Sequence, residues 1–242
     1  MKKADSDYRA FLDILKEELI PAGGCTEPIA VAYAAAKARE VLGTFPEKLL
    51  LCCSGNVIKN VMGVTIPHSG GRRGLDVAAA LGALAGDASR VLEVLDHVTD
   101  AQIAQIDPLL AGGFCRCTLA ENVEKLYISV TAVCGEDSAS VEIRLHHTNI
   151  TRVVRNGEIL LDTRVHSPTD ADRSCLDLHD IIRYAEQEEL ETLQSLLRDQ
   201  IEKNAAISAE GLSHAYGAQV GRCLLNAAPD DTCTRICAAA AA

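Results

Sequence analysis

The sequence predicts an α+β fold: an alanine-rich helical bundle with an inserted antiparallel β-sheet subdomain. Three observations carry that expectation. Residues 28–42 and 75–84 are alanine-rich segments with helix start and stop signals. Residues 114–161 alternate apolar and polar side chains and contain Asn156-Gly157, a strong hairpin signal. Residues 177–242 return to helical spacing. The predicted organisation is therefore a helical part over 1–112, an antiparallel β subdomain over 113–163 and a C-terminal helical part over 164–242. The last part reads as truncated, because it ends on five alanines without a stop signal.

Each element has a local reason. Tyr8, Leu12, Leu15 and Leu19 recur at helical spacing, with Asp13, Lys16 and Glu17 between them, and Pro21 ends that helix. The next helix opens at Pro28, with Thr26 as the expected N-cap, and Gly43 stops it. Leu49-Leu50-Leu51-Cys52-Cys53 is a short continuous apolar run, read as a buried strand, and Ser54-Gly55-Asn56 breaks it. Leu75–Leu84 and Ala88–Val98 read as two further helices, and Thr99-Asp100-Ala101-Gln102 is a capping box for a fourth that Gly112-Gly113 ends. Four or five antiparallel strands follow. A polar linker spans Asp162–Ser174, and helices are expected over Asp177–Glu186, Glu189–Lys203, Ala205–Leu225 and Asp230–Ala242, the third interrupted by Gly211 and Gly217.

Composition narrows the function. Apolar residues make up 48% of 242, enough for a core, but aromatics are 3% and tryptophan is absent. Such a core is built from Ala, Leu, Val and Ile, which suits close helix packing. A net charge of −11 argues against nucleic acid, which needs a basic face. No window reaches the apolar length of a membrane span, and the N-terminus does not read as a signal peptide. Ten cysteines with no C-x-x-C pair, in a chain this long, fit reduced thiols in a cytoplasmic protein better than a disulfide framework. Cys52 and Cys53 point to opposite faces of a strand, whereas Cys115 and Cys117 share one face, as do Cys233 and Cys237 of a helix.

The chemistry centres on Pro21-Ala22-Gly23-Gly24-Cys25-Thr26-Glu27-Pro28. Cys25 stands just before a helix, where free N–H groups and the dipole favour an anion and lower a thiol's pKa. The plain alternative is a buried structural cysteine after a tight turn. Asn56, Lys59 and Asn60 would place amide and ammonium donors within one helical turn, suited to a substrate carboxylate. Thr65–Gly74 is a glycine-rich loop without the P-loop ending; His68 and Arg72-Arg73 on it could alter substrate fit or mark an interface.

Gly24-Cys25-Thr26-Glu27-Pro28-Ile29-Ala30-Val31-Ala32 resembles the opening motif of the L-cysteine desulfidase family, related to the alpha chain of iron–sulfur-dependent L-serine ammonia-lyase. The likeness continues through Ser54-Gly55-Asn56-Val57-Ile58-Lys59-Asn60, Met62–Pro67 and Gly74–Leu84. It implies β-elimination of L-cysteine or L-serine to pyruvate and ammonia, with sulfide or water released, in amino-acid catabolism. By the same resemblance Cys25 takes the α-proton, and Thr26, Glu27, Ser54, Asn56, Lys59 and Asn60 contact a small amino-acid substrate. A 4Fe-4S cluster would supply the Lewis acid. Its ligands are expected in a C-terminal part beyond this chain, with no metal ligand here, so this portion alone should be inactive. The turn His147-Thr148-Asn149 also lines up with a family motif and is expected near the site. Homo-oligomerisation is compatible with all of this. Two alternatives stand beside it: a pyridoxal-phosphate eliminase using Lys59, and a non-catalytic cysteine-rich protein that binds metal or a partner.

Overall fold

A computed structural model describes residues 5–22, 24–163, 171–187 and 190–242. In chain order the helices and strands begin with α1 (Asp5–Glu18), α2 (Thr26–Leu42), β1 (Lys48–Ser54), α3 (Gly55–Met62), α4 (Leu75–Ala85) and α5 (Asp100–Ala111). Strands β2 (Cys115–Ala120), β3 (Tyr127–Cys134), β4 (Asp137–Arg144), β5 (Ile150–Arg155) and β6 (Glu158–Asp162) follow. Helices α6 (Leu178–Gln187), α7 (Leu190–Ser213), α8 (Val220–Ala227) and α9 (Thr232–Ala240) complete the order. The class is α+β. Backbone contacts gather into two compact units, residues 21–168 and residues 1–20 with 169–242, a different partition from the three consecutive segments expected.

In the first unit one six-stranded sheet runs in the order β2-β1-β3-β4-β5-β6. It is mixed rather than antiparallel: β1 pairs with β2 in parallel, Leu49 opposite Cys115, and with β3 antiparallel, Leu49 opposite Ala132. Parallel neighbours need a long crossover, and α3, α4 and α5 supply it. The strand assigned to the helical part is therefore an inner strand of the sheet. Its burial also differs from expectation. Leu49, Leu51 and Cys53 are buried at 1% exposure or less, while Leu50 is 41% exposed, so the apolar run has only one dry face.

Further along the same sheet, β3 and β4 lie on α2. Every residue from Pro28 to Ala36 is buried, so α2 is wrapped on all sides rather than striped. It packs on β3 and β4 through one side and on α4 through another. Small residues set the helix–helix distance: a Cβ on Gly82 would fall onto the Ala32 backbone, and one on Gly86 would lie 2.8 Å from the Ala36 methyl. Arg39 then crosses to the end of α4, donating to the Ala83 carbonyl (3.1 Å) and the Gly86 carbonyl (2.8 Å). A cation there satisfies carbonyls that the helix itself leaves open.

Several terminators act as the sequence predicts. Gly43 is left-handed (φ 84°) and its N–H bonds to the Arg39 carbonyl at 2.9 Å. The Thr99 capping box closes both ways around α5. Asn156 and Gly157 both have positive φ, as a type I′ turn requires. The helix expected over Ala88–Val98 is not formed. A 3-10 segment occupies Ala88–Glu93 and breaks at Val91 (φ 53°, ψ −105°). Asp87 accepts from the Ser89 N–H at 3.0 Å, and Arg90 reaches Asp96 at 2.9 Å, so local polar bonds compete with a regular helix here.

The second unit is helical, with Phe11, Tyr184 and Leu193 at its core. The Phe11 and Tyr184 ring centroids are 4.9 Å apart, and Arg173 ties down Glu17 at 3.0 Å and Glu18 at 2.5 Å. Helix α7 continues through Gly211, where an interruption was expected, and ends at Ser213, so the break spans residues 214–219 and includes Gly217. Of the expected linker, residues 164–170 lie outside the described residues. So do Gly23 and Glu189.

Candidate functional site

The N-terminus of α2 is fixed from below. A Cβ on Gly24 would stand 2.6 Å from Pro67 Cγ, so only glycine lets the backbone lie against the Ile66-Pro67 segment. Cys25 follows as the N-cap residue itself, with no side-chain cap, and Thr26 is the first helical residue rather than the expected cap. Cys25 is exposed. Its Sγ lies 3.4 Å from Glu27 Oε2, positioned to donate to that carboxylate, and Thr26 Oγ1 lies at the same distance.

Glu27 gathers the site. Asn60, on α3, donates its amide to Glu27 Oε1 at 2.9 Å. His147, in the turn between β4 and β5, brings Nε2 to 3.9 Å from Glu27 Oε2. That nitrogen is sealed from solvent without a hydrogen-bond partner. The Glu27 side chain is 19% exposed and His147 32%. Three separate segments thus converge on one carboxylate.

The electrostatics follow from that geometry. Burial, and then the hydrogen bond to Glu27, push the Cys25 thiol above its ordinary pKa; only the backbone N–H of Glu27 pulls it down. The expectation of a thiolate held by the helix start is corrected: the amide acts in the anticipated direction and a carboxylate outweighs it. Burial raises Glu27, but hydrogen bonds from Asn60, its own N–H and Cys25, with His147 beside it, leave it below the usual carboxylate range. Burial lowers His147, against the pull of Glu27. Near neutral pH the resting site is therefore a thiol, a carboxylate and a neutral imidazole.

The other candidate residues divide. Ser54 is 4% exposed and its hydroxyl serves the fold, accepting from the Val57 N–H at 3.4 Å and donating to the Lys125 carbonyl at 2.7 Å. It caps α3 and so aims Asn60. Asn56 and Lys59 are exposed on the same helix. On the glycine-rich loop, Arg72 is a strut: it grips Asp107 through two bonds of 2.8 and 2.7 Å and holds the Ser69 carbonyl at 2.7 Å. His68 sits at a positive φ of 55°. Among the described residues no three His, Cys, Asp or Glu side chains are grouped to hold a metal. Nor, among them, is any helix long and apolar enough to cross a membrane.

No family model matches the chain, and no solved structure matches it. Curated sequences do. The chain is similar to proteins named UPF0597. One from Lachnoclostridium phytofermentans is 42% identical over 93% of this chain and 54% of its own length. Another, from Finegoldia magna, is 43% identical over 89% of this chain and 52% of its own. A third, from Desulfitobacterium hafniense, is 41% identical over 100% of this chain and 57% of its own. The chain thus spans about half the length of these UPF0597 relatives. Their name states no reaction. It also corrects the family resemblance read from the motifs: these nearly full-chain matches carry the UPF0597 name, not that of the desulfidase or serine ammonia-lyase group.

Sequence reasoning put Cys25 at the centre, and the geometry puts Glu27 there. The available signal was the glutamate's place in the first turn of a helix, where a carboxylate is expected to gather donors.

Proposed function

We propose that the site performs proton transfer on a small amino acid, as a carbon–sulfur or carbon–oxygen lyase acting by β-elimination. The observation that supports this is the Cys25–Glu27 contact, clamped by Asn60 and His147. Neighbouring groups whose pKa values are driven apart, one protonated and one ionised, form an acid–base pair. In the elimination the α-proton passes to the Cys25 sulfur, the Cα–H electrons form the Cα=Cβ bond, and the Cβ–S or Cβ–O bond breaks with its pair leaving on sulfide or hydroxide. The 2-aminoacrylate that remains tautomerises to an imine, which water hydrolyses to pyruvate and ammonia. Cys25 must first lose its own proton, and Glu27 stands at 3.4 Å to accept it. A substrate ammonium beside Glu27 would offset the negative charge that disfavours the thiolate. Exposed Asn56 and Lys59 on α3 would meet the substrate carboxylate.

The test is release of pyruvate, with sulfide from L-cysteine or without it from L-serine, assayed anaerobically. Both this chain and a full-length UPF0597 relative are needed, because the chain spans about half of the latter. Cys25→Ser should lower turnover of the active protein on the order of 10²-fold or more, the range for a lost proton-transfer group. Unchanged pyruvate release after that substitution would remove Cys25 from the reaction.

A further inference from the structure

The helical unit of residues 1–20 and 169–242 leaves a gap along its longest helix. Leu193, Leu197, Ile201, Ala205, Ser208 and Leu212 recur along α7 at spacings of three and four, so they share one face. Both ends of that face are covered. Leu193 is buried with Phe11 and Tyr184, and Leu197 packs against them. At the other end Ser208 donates its hydroxyl to the Ala239 carbonyl of α9 at 2.7 Å, and a Cβ on Gly211 would fall onto the Ala242 carbonyl. Between the two, every residue from Arg198 to Ile207 is exposed, with Ile201 at 62% and Ile207 at 67%. A helix in a folded protein is held mainly by packing of its apolar face, and the described residues leave the middle of this one bare.

We propose that this gap is a docking surface for a helix from the part of a UPF0597 polypeptide that lies outside the match to this chain. The Desulfitobacterium hafniense relative matches 100% of this chain with 57% of its own length, so its counterpart of α7 sits in a polypeptide with much further mass. The gap has a helix's dimensions. From Leu197 to Ser208 α7 rises about 16 Å, and a helix with its side chains is about 10–12 Å across. The rim is polar, with Glu191, Gln194, Arg198 and Glu202 around the hollow beside Leu197 and Ile201. An apolar floor inside a polar rim is the pattern of an interaction site rather than of a solvated helix face. A second copy of the chain is the weaker candidate, because each copy carries a net charge of −11. The docking helix therefore sets aliphatic side chains against Ile201 and Ala205 and polar ones against the rim. No residue of this face belongs to the Cys25–Glu27 group, so the surface stands apart from the reaction proposed above.

The experiment compares amide hydrogen exchange in the intact 242-residue chain and in the full-length Desulfitobacterium hafniense protein. In the chain, amides of Arg198–Ile207 should exchange at least tenfold faster than those of the covered turn at Ser208–Leu212. In the full-length protein the matching segment should lose that difference. A segment that stays fast there would overturn the proposal. So would slow exchange in the chain that quickens on dilution, which would give the face to a second copy. A photo-crosslinking side chain at the position matching Ile201 in the full-length protein identifies the occupant. Adducts should map outside the match, and adducts confined to matched residues or joining two copies would overturn the assignment. The exchange comparison needs no substitution, so it decides the matter even if the photo-crosslinking variant folds poorly.

Discussion

Glu27 accepts hydrogen bonds from Cys25, Thr26 and Asn60 while His147 stands 3.9 Å away, so its charge governs the site. Glu27→Gln removes the negative charge that helps raise Cys25. The Cys25 pKa should then fall, and alkylation of Cys25 below pH 8 should quicken; slower alkylation would contradict the assigned cause. Asn60→Asp sets a second carboxylate against Glu27 and should raise its pKa, visible in the side-chain carboxyl titration by NMR. The stability sign follows from Glu27's lowered folded pKa. Its contribution is present above the unfolded value near 4.5 and is lost as pH falls through the lower folded value. The urea midpoint gap between the parent and Glu27→Gln should therefore narrow as the pH is taken from 7 into that acidic window.

At the scale of elements, the contact between α2 and α4 depends on an absent methyl group. Gly82→Ala would drive a Cβ into the Ala32 backbone and should cost about 1–3 kcal/mol, read from urea unfolding. Gly63→Ala is the control: nothing lies within 4 Å of its Cβ position, so the change should stay within about 0.5 kcal/mol. Helix ends and turns were legible because they are local. Gly43, the Thr99 capping box and Asn156-Gly157 carry their conformations in two to four consecutive residues. The segment at Ala88–Val98 was misread for a related reason. Its composition favours a helix, but the Asp87–Ser89 and Arg90–Asp96 bonds, which close local loops, win over the helical pattern.

For the whole molecule, the division into two compact units makes a direct prediction. Residues 21–168 hold the sheet, α2, α4 and every member of the Cys25–Glu27–Asn60–His147 group, so that fragment should unfold cooperatively by itself. Its Cys25 alkylation profile should match that of the full chain. A non-cooperative melt would show that residues 1–20 and 169–242 are needed for its fold.

The α+β class, the Gly43 stop, the Thr99 capping box and the hairpin were determined by the sequence alone, because periodicity and turn chemistry act over a few residues. Cys25 could likewise be placed at a helix start from its neighbours. Tertiary structure alone decided that β1 lies inside the sheet, that Ser54 is spent on capping α3, and that Cys25, Asn60 and His147 gather on the Glu27 carboxylate. It also decided the protonation state of Cys25. A thiol's charge depends on what approaches through space, and a helix end anticipates only half of those neighbours.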